Sequence, residues 1–420
     1  MQPRLGDMPL TLLAGPANAG KVALLLDRYA ADIAREPVLV VPNRAEVQRV
    51  QHDLVAGGKA VVGGSVGTFD DLFAGIARSN GDHCAVLTDT QRGLLLRRLA
   101  RDASPFSGFV ETLGATLAEL ESGLVEPEDL EPGLRDLLRA YRDELDRLER
   151  WDRDRERRYA ADRVAGDLDA WDGRPVYAYG FEDLTAAQWS LVEGLAGRAD
   201  VTVSLPYEPG RLAFTALERT AATLSKQAAG RIEELPASDR YVRSALAHLE
   251  RRLFVDGDAP APALEGAVRF LEAPGARGML ELVGEEILEL IRGGTYPADI
   301  AVVAPALERW RAPLETAFTG LGIPYATEGP TRLGQTAFGG ALLSLLRFAW
   351  LGGGRHDLYG FMRSPYSGLR RDHVDFLEGR LRGRAIRTPE RVEAETLRLR
   401  GQPLPFIDTL RSGSSNQEAV

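Results

Sequence analysis

Gly15, Gly20 and Lys21 stand in the stretch LTLLAGPANAGKVALLLDRYA, residues 10–30, with the G-x-x-x-x-G-K spacing of a phosphate-holding loop. Two glycines let a backbone turn tightly, so that its N–H groups and the N-terminus of a following helix face an anion. Lys21 would reach the outer phosphates of a nucleotide, with Pro16, Ala17, Asn18 and Ala19 forming the wall of the loop. The next position, where a Ser or Thr hydroxyl would ligate Mg²⁺, is Val22. With 44 glycines and three lysines in 420 residues, the motif should arise by chance about 0.03 times per chain. A glycine-bounded strand-to-helix turn that holds nothing is the plainer alternative.

Hydrolysis needs an acidic pair at the end of a neighbouring strand, one carboxylate for the metal and one for water. The stretch VYAYGFEDL, residues 176–184, is the best match, but Gly180 and Phe181 occupy the required place. Glu182 and Asp183 come slightly late and read as charges at the N-terminus of a helix starting near Thr185. Two departures predict an eroded site, better at binding nucleotide than at hydrolysing it. A widespread nuclease centre requires an acidic residue two positions before a lysine. Ala19, Gly57 and Leu224 stand there for Lys21, Lys59 and Lys226, so the motif is missing. The five histidines (His52, His83, His248, His356, His373) show no paired-ligand spacing, and Asp372, His373 and Asp375 read as surface residues. The single cysteine, Cys84, excludes an intrachain disulfide and a Cys-ligated metal or iron–sulfur centre.

A net charge of −10 argues against the whole chain sheathing nucleic acid, although a local basic groove is compatible with it. The densest charge run, RLERWDRDRERRYAADR at 147–163, alternates sign and reads as a solvated helix. Between Arg355 and Arg400, Tyr359, Phe361 and Tyr366 lie among many arginines, a mixture able to stack on single-stranded bases. Seven acidic residues share that span and favour an ordinary core-and-surface reading. No apolar run reaches the roughly 18 residues that span a bilayer, and no signal peptide is evident, so a cytoplasmic protein without membrane contact is expected.

Apolar runs alternating with amphipathic stretches predict the elements that carry these residues. Residues 8–85 read as three βα units of a parallel sheet, with Asn43 and Thr68 as helix caps. Residues 86–171 read as an inserted helical domain, and 172–235 return to the first α/β domain. A linker at 236–264 leads to a second, incomplete α/β domain at 265–333, with strands expected in AVRFLEAPG, DIAVVAP and IPYAT. A helical insertion at 334–405 and a disordered polar tail at 406–420 complete the reading.

The order of these pieces resembles the B subunit of AddAB-type bacterial helicase–nucleases, called RexB in some lineages, within the UvrD-like superfamily 1 helicases. The matching stretches are LLAGPANAGKVALLL, VGTFDDLFAGIAR, VYAYGFEDLTAAQWSLVEGLA, the segment from EEILELIRGG to GIPYATEG, and FMRSPYSGL. The resemblance implies an α/β fold with two RecA-like P-loop domains and helical insertion domains. It implies Thr68 and Phe69 on a DNA-facing side, ATP as the nucleotide, DNA as a partner, and a heterodimer with an AddA-type helicase–nuclease subunit. In that family the motor of this subunit is weak or inactive, and a Gly-Phe pair replaces the acidic pair, as at Gly180 and Phe181. The family's C-terminal nuclease domain with its iron–sulfur cluster has no counterpart here, so an N-terminal fragment or truncated homologue is expected.

Overall fold

The structure, a computed structural model, describes residues 10–55, 62–79, 83–100, 108–238, 241–255, 257, 260–327, 333–386 and 388–412. The chain divides into two units, residues 1–269 and 270–420.

The first unit is built on six parallel strands: β1 (Thr11–Gly15), β2 (Val38–Val40), β3 (Ser65–Gly67), β4 (Val176–Ala178), β5 (Val201–Pro206) and β6 (Ile232–Glu234). They lie in the order β3-β2-β4-β5-β1-β6. The period-2 alternation of strand side chains divides the core between two faces. Leu12, Ala14, Val38, Val40, Val176 and Ala178 face one side, while Leu13, Leu39, Tyr177 and Tyr179 face the other. Helices α1 (Lys21–Ala31) and α2 (Arg44–Val55) cover the second face through Leu25, Tyr29, Val47 and Val50. Helix α3 (Phe69–Arg78) covers the first face through Phe69, Leu72, Phe73 and Ile76. Right-handed crossovers require this arrangement, because the chain steps one way along the sheet through α1 and α2 and returns afterwards.

The inserted helices are α4 (Asp89–Leu99), α5 (Phe109–Ser122), α6 (Pro132–Arg147) and α7 (Arg153–Gly166). Leu96, Leu117, Leu138 and Tyr141 form their own core, whereas Ala160, Ala161 and Val164 of α7 belong to the core of the sheet. The charge run is not one solvated helix. The helix breaks at Trp151, which is buried, and Asp152 caps α7 by accepting from Arg155 N at 2.8 Å. Both Asp152 and Asp154 are buried. Helices α8 (Ala186–Ala196) and α9 (Glu218–Ala228) complete the first face, and α10 (Ser244–Arg252) follows.

The second unit contains α11 (Gly275–Arg292), α12 (Leu307–Leu321), α13 (Ala337–Trp350), α14 (Arg355–Met362), α15 (Arg371–Gly383), α16 (Pro389–Arg400) and α17 (Pro405–Ser412). The α/β class holds for the chain through the first sheet alone. The strands expected in AVRFLEAPG, DIAVVAP and IPYAT pair with nothing among the described residues. The physical reason is the missing neighbour. Helices α11 and α12 pack on each other through Leu280, Ile287, Leu314 and Phe318, and Val303 is left 92% exposed with no ladder beside it.

The tail boundary also moves. Residues 405–412 form α17 instead of a disordered segment, because Ile407 is fully buried and Trp350 Nε1 donates to the Leu410 carbonyl at 3.1 Å. Residues 413–420 lie outside the described residues.

Candidate functional site

The glycine loop, Thr68 with Phe69, and Gly180 to Asp183 lie beyond the carboxyl ends of β1, β3 and β4, where ligands of open parallel sheets bind. Gly15 ends β1 with φ +154°, and a Cβ added there would stand 2.8 Å from the Leu235 carbonyl oxygen. The segment leaving β6 therefore crosses close over the loop, tied by Leu235 N donating to the Ala14 carbonyl at 2.8 Å. Asn18 and Gly20 take left-handed conformations, φ +58° and +83°, and α1 starts at Lys21 without a side-chain cap. Its first N–H groups are thus free to meet an anion.

Lys21 does not extend into solvent. It is buried, and its Nζ donates to the Gly15 carbonyl at 2.9 Å and to the Pro16 carbonyl. Burial lowers its pKa from the usual lysine range. A buried ammonium held only by carbonyls is poorly compensated, and a phosphate would compensate it better. Val22 packs into the core beneath α1 and α2, so the position after Lys21 serves packing. The loop fits an oxyanion. It does not fit a hydrated Mg²⁺, for which it supplies no hydroxyl.

The end of β4 carries a glycine and no carboxylate, and the geometry there explains why. Gly180 has φ +82°, and a Cβ there would lie 2.6 Å from Pro42 Cγ and 3.0 Å from Pro42 Cδ. An acidic residue at 180 would be strained and would collide with the turn after β2. Phe181 is half-buried, its ring 4.7 Å from that of Phe69. Glu182 and Asp183 are exposed and lie outside α8, whose N-terminus is capped by Thr185 and Gln188. Asp183 Oδ1 accepts from Leu184 N at 2.9 Å instead. One strand, β5, separates β1 from β4, which puts the loop and the Gly180 turn about 10 Å apart across the sheet.

The structure brings Thr68, Phe69 and Phe181 together in a cleft of about 610 Å³, with Asn43, Arg44 and Arg153 on its walls. The loop of Gly15–Lys21 does not line it. Thr68 caps α3: its backbone N–H donates to Asp71 Oδ2 at 2.8 Å and its hydroxyl to the same oxygen at 2.9 Å. Phe69 is 4% exposed and serves the core. The cleft is charge-compensated, with Arg44 2.7 Å from Asp71 and Arg157 donating twice to Asp70 at 2.8 and 3.0 Å.

Sequence reasoning missed the network behind this cleft. Arg157 also holds Asp154 at 2.7 Å; Asp152 accepts from Tyr141 Oη at 2.5 Å, and Arg92 Nε donates to Tyr141 Oη at 3.1 Å. Burial, followed by the neighbouring Asp152 charge, pushes the Asp154 carboxyl up to about 6, with Arg157 and Arg92 opposing. Alternation of sign in the run gave no signal of this, because burial followed from the break at Trp151.

Among the described residues no group of three or more His, Cys, Asp or Glu side chains could hold a metal ion, and no helix is long and apolar enough to cross a membrane.

Fold and loop together define a parallel α/β protein with a phosphate-loop-like turn at the carboxyl edge of its sheet. No family model matches the chain. It is similar to proteins named as the B subunit of an ATP-dependent helicase/deoxyribonuclease, in agreement with the resemblance drawn from its motifs. That of Desulforamulus reducens is 24% identical over 90% of this chain and 37% of its own length. That of Desulforudis audaxviator is 26% identical over 76% of this chain and 32% of its own length. That of Bacillus velezensis is 24% identical over 77% and 32%. The chain spans about a third of the length of the curated relatives it matches.

Proposed function

We propose that this chain acts as the helicase-like, motor-silent part of an ATP-dependent DNA helicase–nuclease. It would hold DNA and an active partner subunit of AddA type, with its glycine loop binding a nucleotide phosphate without turnover. The observation carrying this reading is Gly180. Its left-handed backbone and its approach to Pro42 leave no room for a metal-binding carboxylate at the end of β4. Val22 after Lys21 agrees, since it packs in the core and offers no hydroxyl to Mg²⁺. The similarity to proteins named as the B subunit of a helicase/deoxyribonuclease supports DNA as the ligand and a second subunit as the partner. We assign no nuclease step to these residues, because no lysine follows an acidic residue at the required spacing.

When bound, ATP would supply an anionic triphosphate to the loop. The N–H groups of residues 17–21 would donate to its oxygens, and Lys21 would exchange its two carbonyl partners for phosphate. Titration of a fluorescent ATP analogue, with and without Mg²⁺, against wild type and Lys21→Ala tests this. Saturable binding that is insensitive to Mg²⁺ and lost in the variant is expected. Equal binding by both proteins would remove the loop as the site.

A further inference from the structure

The outer face of α15 carries an exposed phenylalanine beside Arg380, with the neighbouring Asp372 and Asp375 paired to Arg370 and Arg363, and we propose that it is a stacking platform for single-stranded nucleic acid. The inference rests on the DNA-binding reading above and assigns it a surface. Phe376 is 65% exposed, although Val374, Leu377 and Leu381 of the same helix are buried in the core shared with α13 and α14. Its ring therefore lies on the face opposite the core. Arg380, one turn on, holds its guanidinium 6.0 Å from the ring centroid. Gly379 and Gly383 have open space where a Cβ would stand, so nothing at those positions walls in the surface beside the ring.

Charge points to the same ligand. Residues 333–412 contain thirteen arginines and eight carboxylates, a net of +5 within a chain of net −10. Two of those carboxylates are withdrawn from the surface. Asp357 is buried and accepts from Gly354 N at 2.9 Å; Glu378 is buried against Arg363 at 2.5 Å and Arg382 at 2.9 Å. Arg371 remains 83% exposed, 3.9 Å from Asp375. The aromatics expected between Arg355 and Arg400 separate accordingly. Tyr359 and Phe361 are core residues, while Tyr366 is 49% exposed and pairs edge-on at 5.2 Å with Phe338, itself 50% exposed.

A flexible phosphodiester chain can run along the arginines and turn a base onto the Phe376 ring, which accepts any base because each has a π face. Duplex bases are already stacked and cannot reach it. An acidic peptide would use the cations and leave the ring idle.

The test is fluorescence anisotropy with labelled dT20 over a range of NaCl concentrations, using the full chain as wild type, Phe376→Ala, Phe376→Trp and Arg380→Gln. Circular dichroism checks folding, and photocrosslinking to an oligomer carrying 5-iodouracil locates the contact. Phe376→Ala should weaken binding about 5- to 100-fold with the salt slope unchanged, and Phe376→Trp should restore it. Arg380→Gln should lower the magnitude of the salt slope by about 0.7. Unchanged binding in the folded variants, with crosslinks confined to residues 10–238, would overturn this surface and leave the DNA-binding reading standing. No binding by wild type would overturn that reading, and this inference with it.

Discussion

Restoring the acidic residue that a hydrolytic site needs, by Gly180→Asp, should damage the fold before it restores chemistry. A side chain at φ +82° costs roughly 1–2 kcal/mol. A Cβ 2.6 Å from Pro42 Cγ lies within any real carbon contact, and relieving it costs roughly another 1–3 kcal/mol. The sum is about 2–5 kcal/mol, and all of it belongs to the Cβ. Gly180→Ala should therefore lose nearly as much as Gly180→Asp. Urea-dependent hydrogen exchange reads this locally: amides of β2 and β4, which pair side by side, should open at lower urea in both variants. Amides of α13 and α14 in the second unit serve as the internal reference. A Gly180→Ala variant within about 0.5 kcal/mol of wild type would refute the steric argument, since that is the spread of innocuous substitutions.

Lys21→Met should abolish phosphate binding with little loss of stability, because the removed ammonium is buried with no carboxylate partner among the described residues; phosphate-dependent melting shifts check this. Phe69→Ala should cost about 3–5 kcal/mol, as it empties a 4% exposed site between Phe73 and Phe181, measurable by urea unfolding. Asp154 has its folded pKa raised from 3.8 to about 6, so its contribution is fully present below about pH 4 and is lost as pH rises to about 6. The stability of wild type relative to Asp154→Asn should accordingly fall across that window, by at most about 3 kcal/mol, in melts at matched ionic strength. Tyr141→Phe leaves Asp152 and Arg92 without their shared hydroxyl and should cost about 1–3 kcal/mol by the same unfolding assay.

What was legible in the sequence is what local chemistry decides. The β1–loop–α1 unit, the Asn43 cap of α2 (Glu46 N to Asn43 Oδ1, 2.9 Å), the Thr68 cap and the start of α8 near Thr185 depend on residues a few positions apart. The glycine and phenylalanine at 180 and 181 were equally visible. The crowding at Gly180 was not, because Pro42 approaches it only when β2 and β4 become neighbours. The tilted contact between the Phe69 and Phe181 rings has the same origin. Asp152 and Asp154 looked solvated because alternating charge carries no sign of the break at Trp151. In the second unit the apolar run at Ile300–Ala304 has strand composition, but composition cannot supply the neighbour that makes a strand part of a sheet.

The central claim is a phosphate-binding loop without a working motor. Single-turnover hydrolysis of radiolabelled ATP, with Mg²⁺ and dT20 present and protein in excess, tests it most directly. Wild type should retain nucleotide, Lys21→Met should lose it, and phosphate release by wild type should not rise above the Lys21→Met background. DNA-stimulated phosphate release by wild type that disappears in Lys21→Met would contradict the claim and make this chain an active motor.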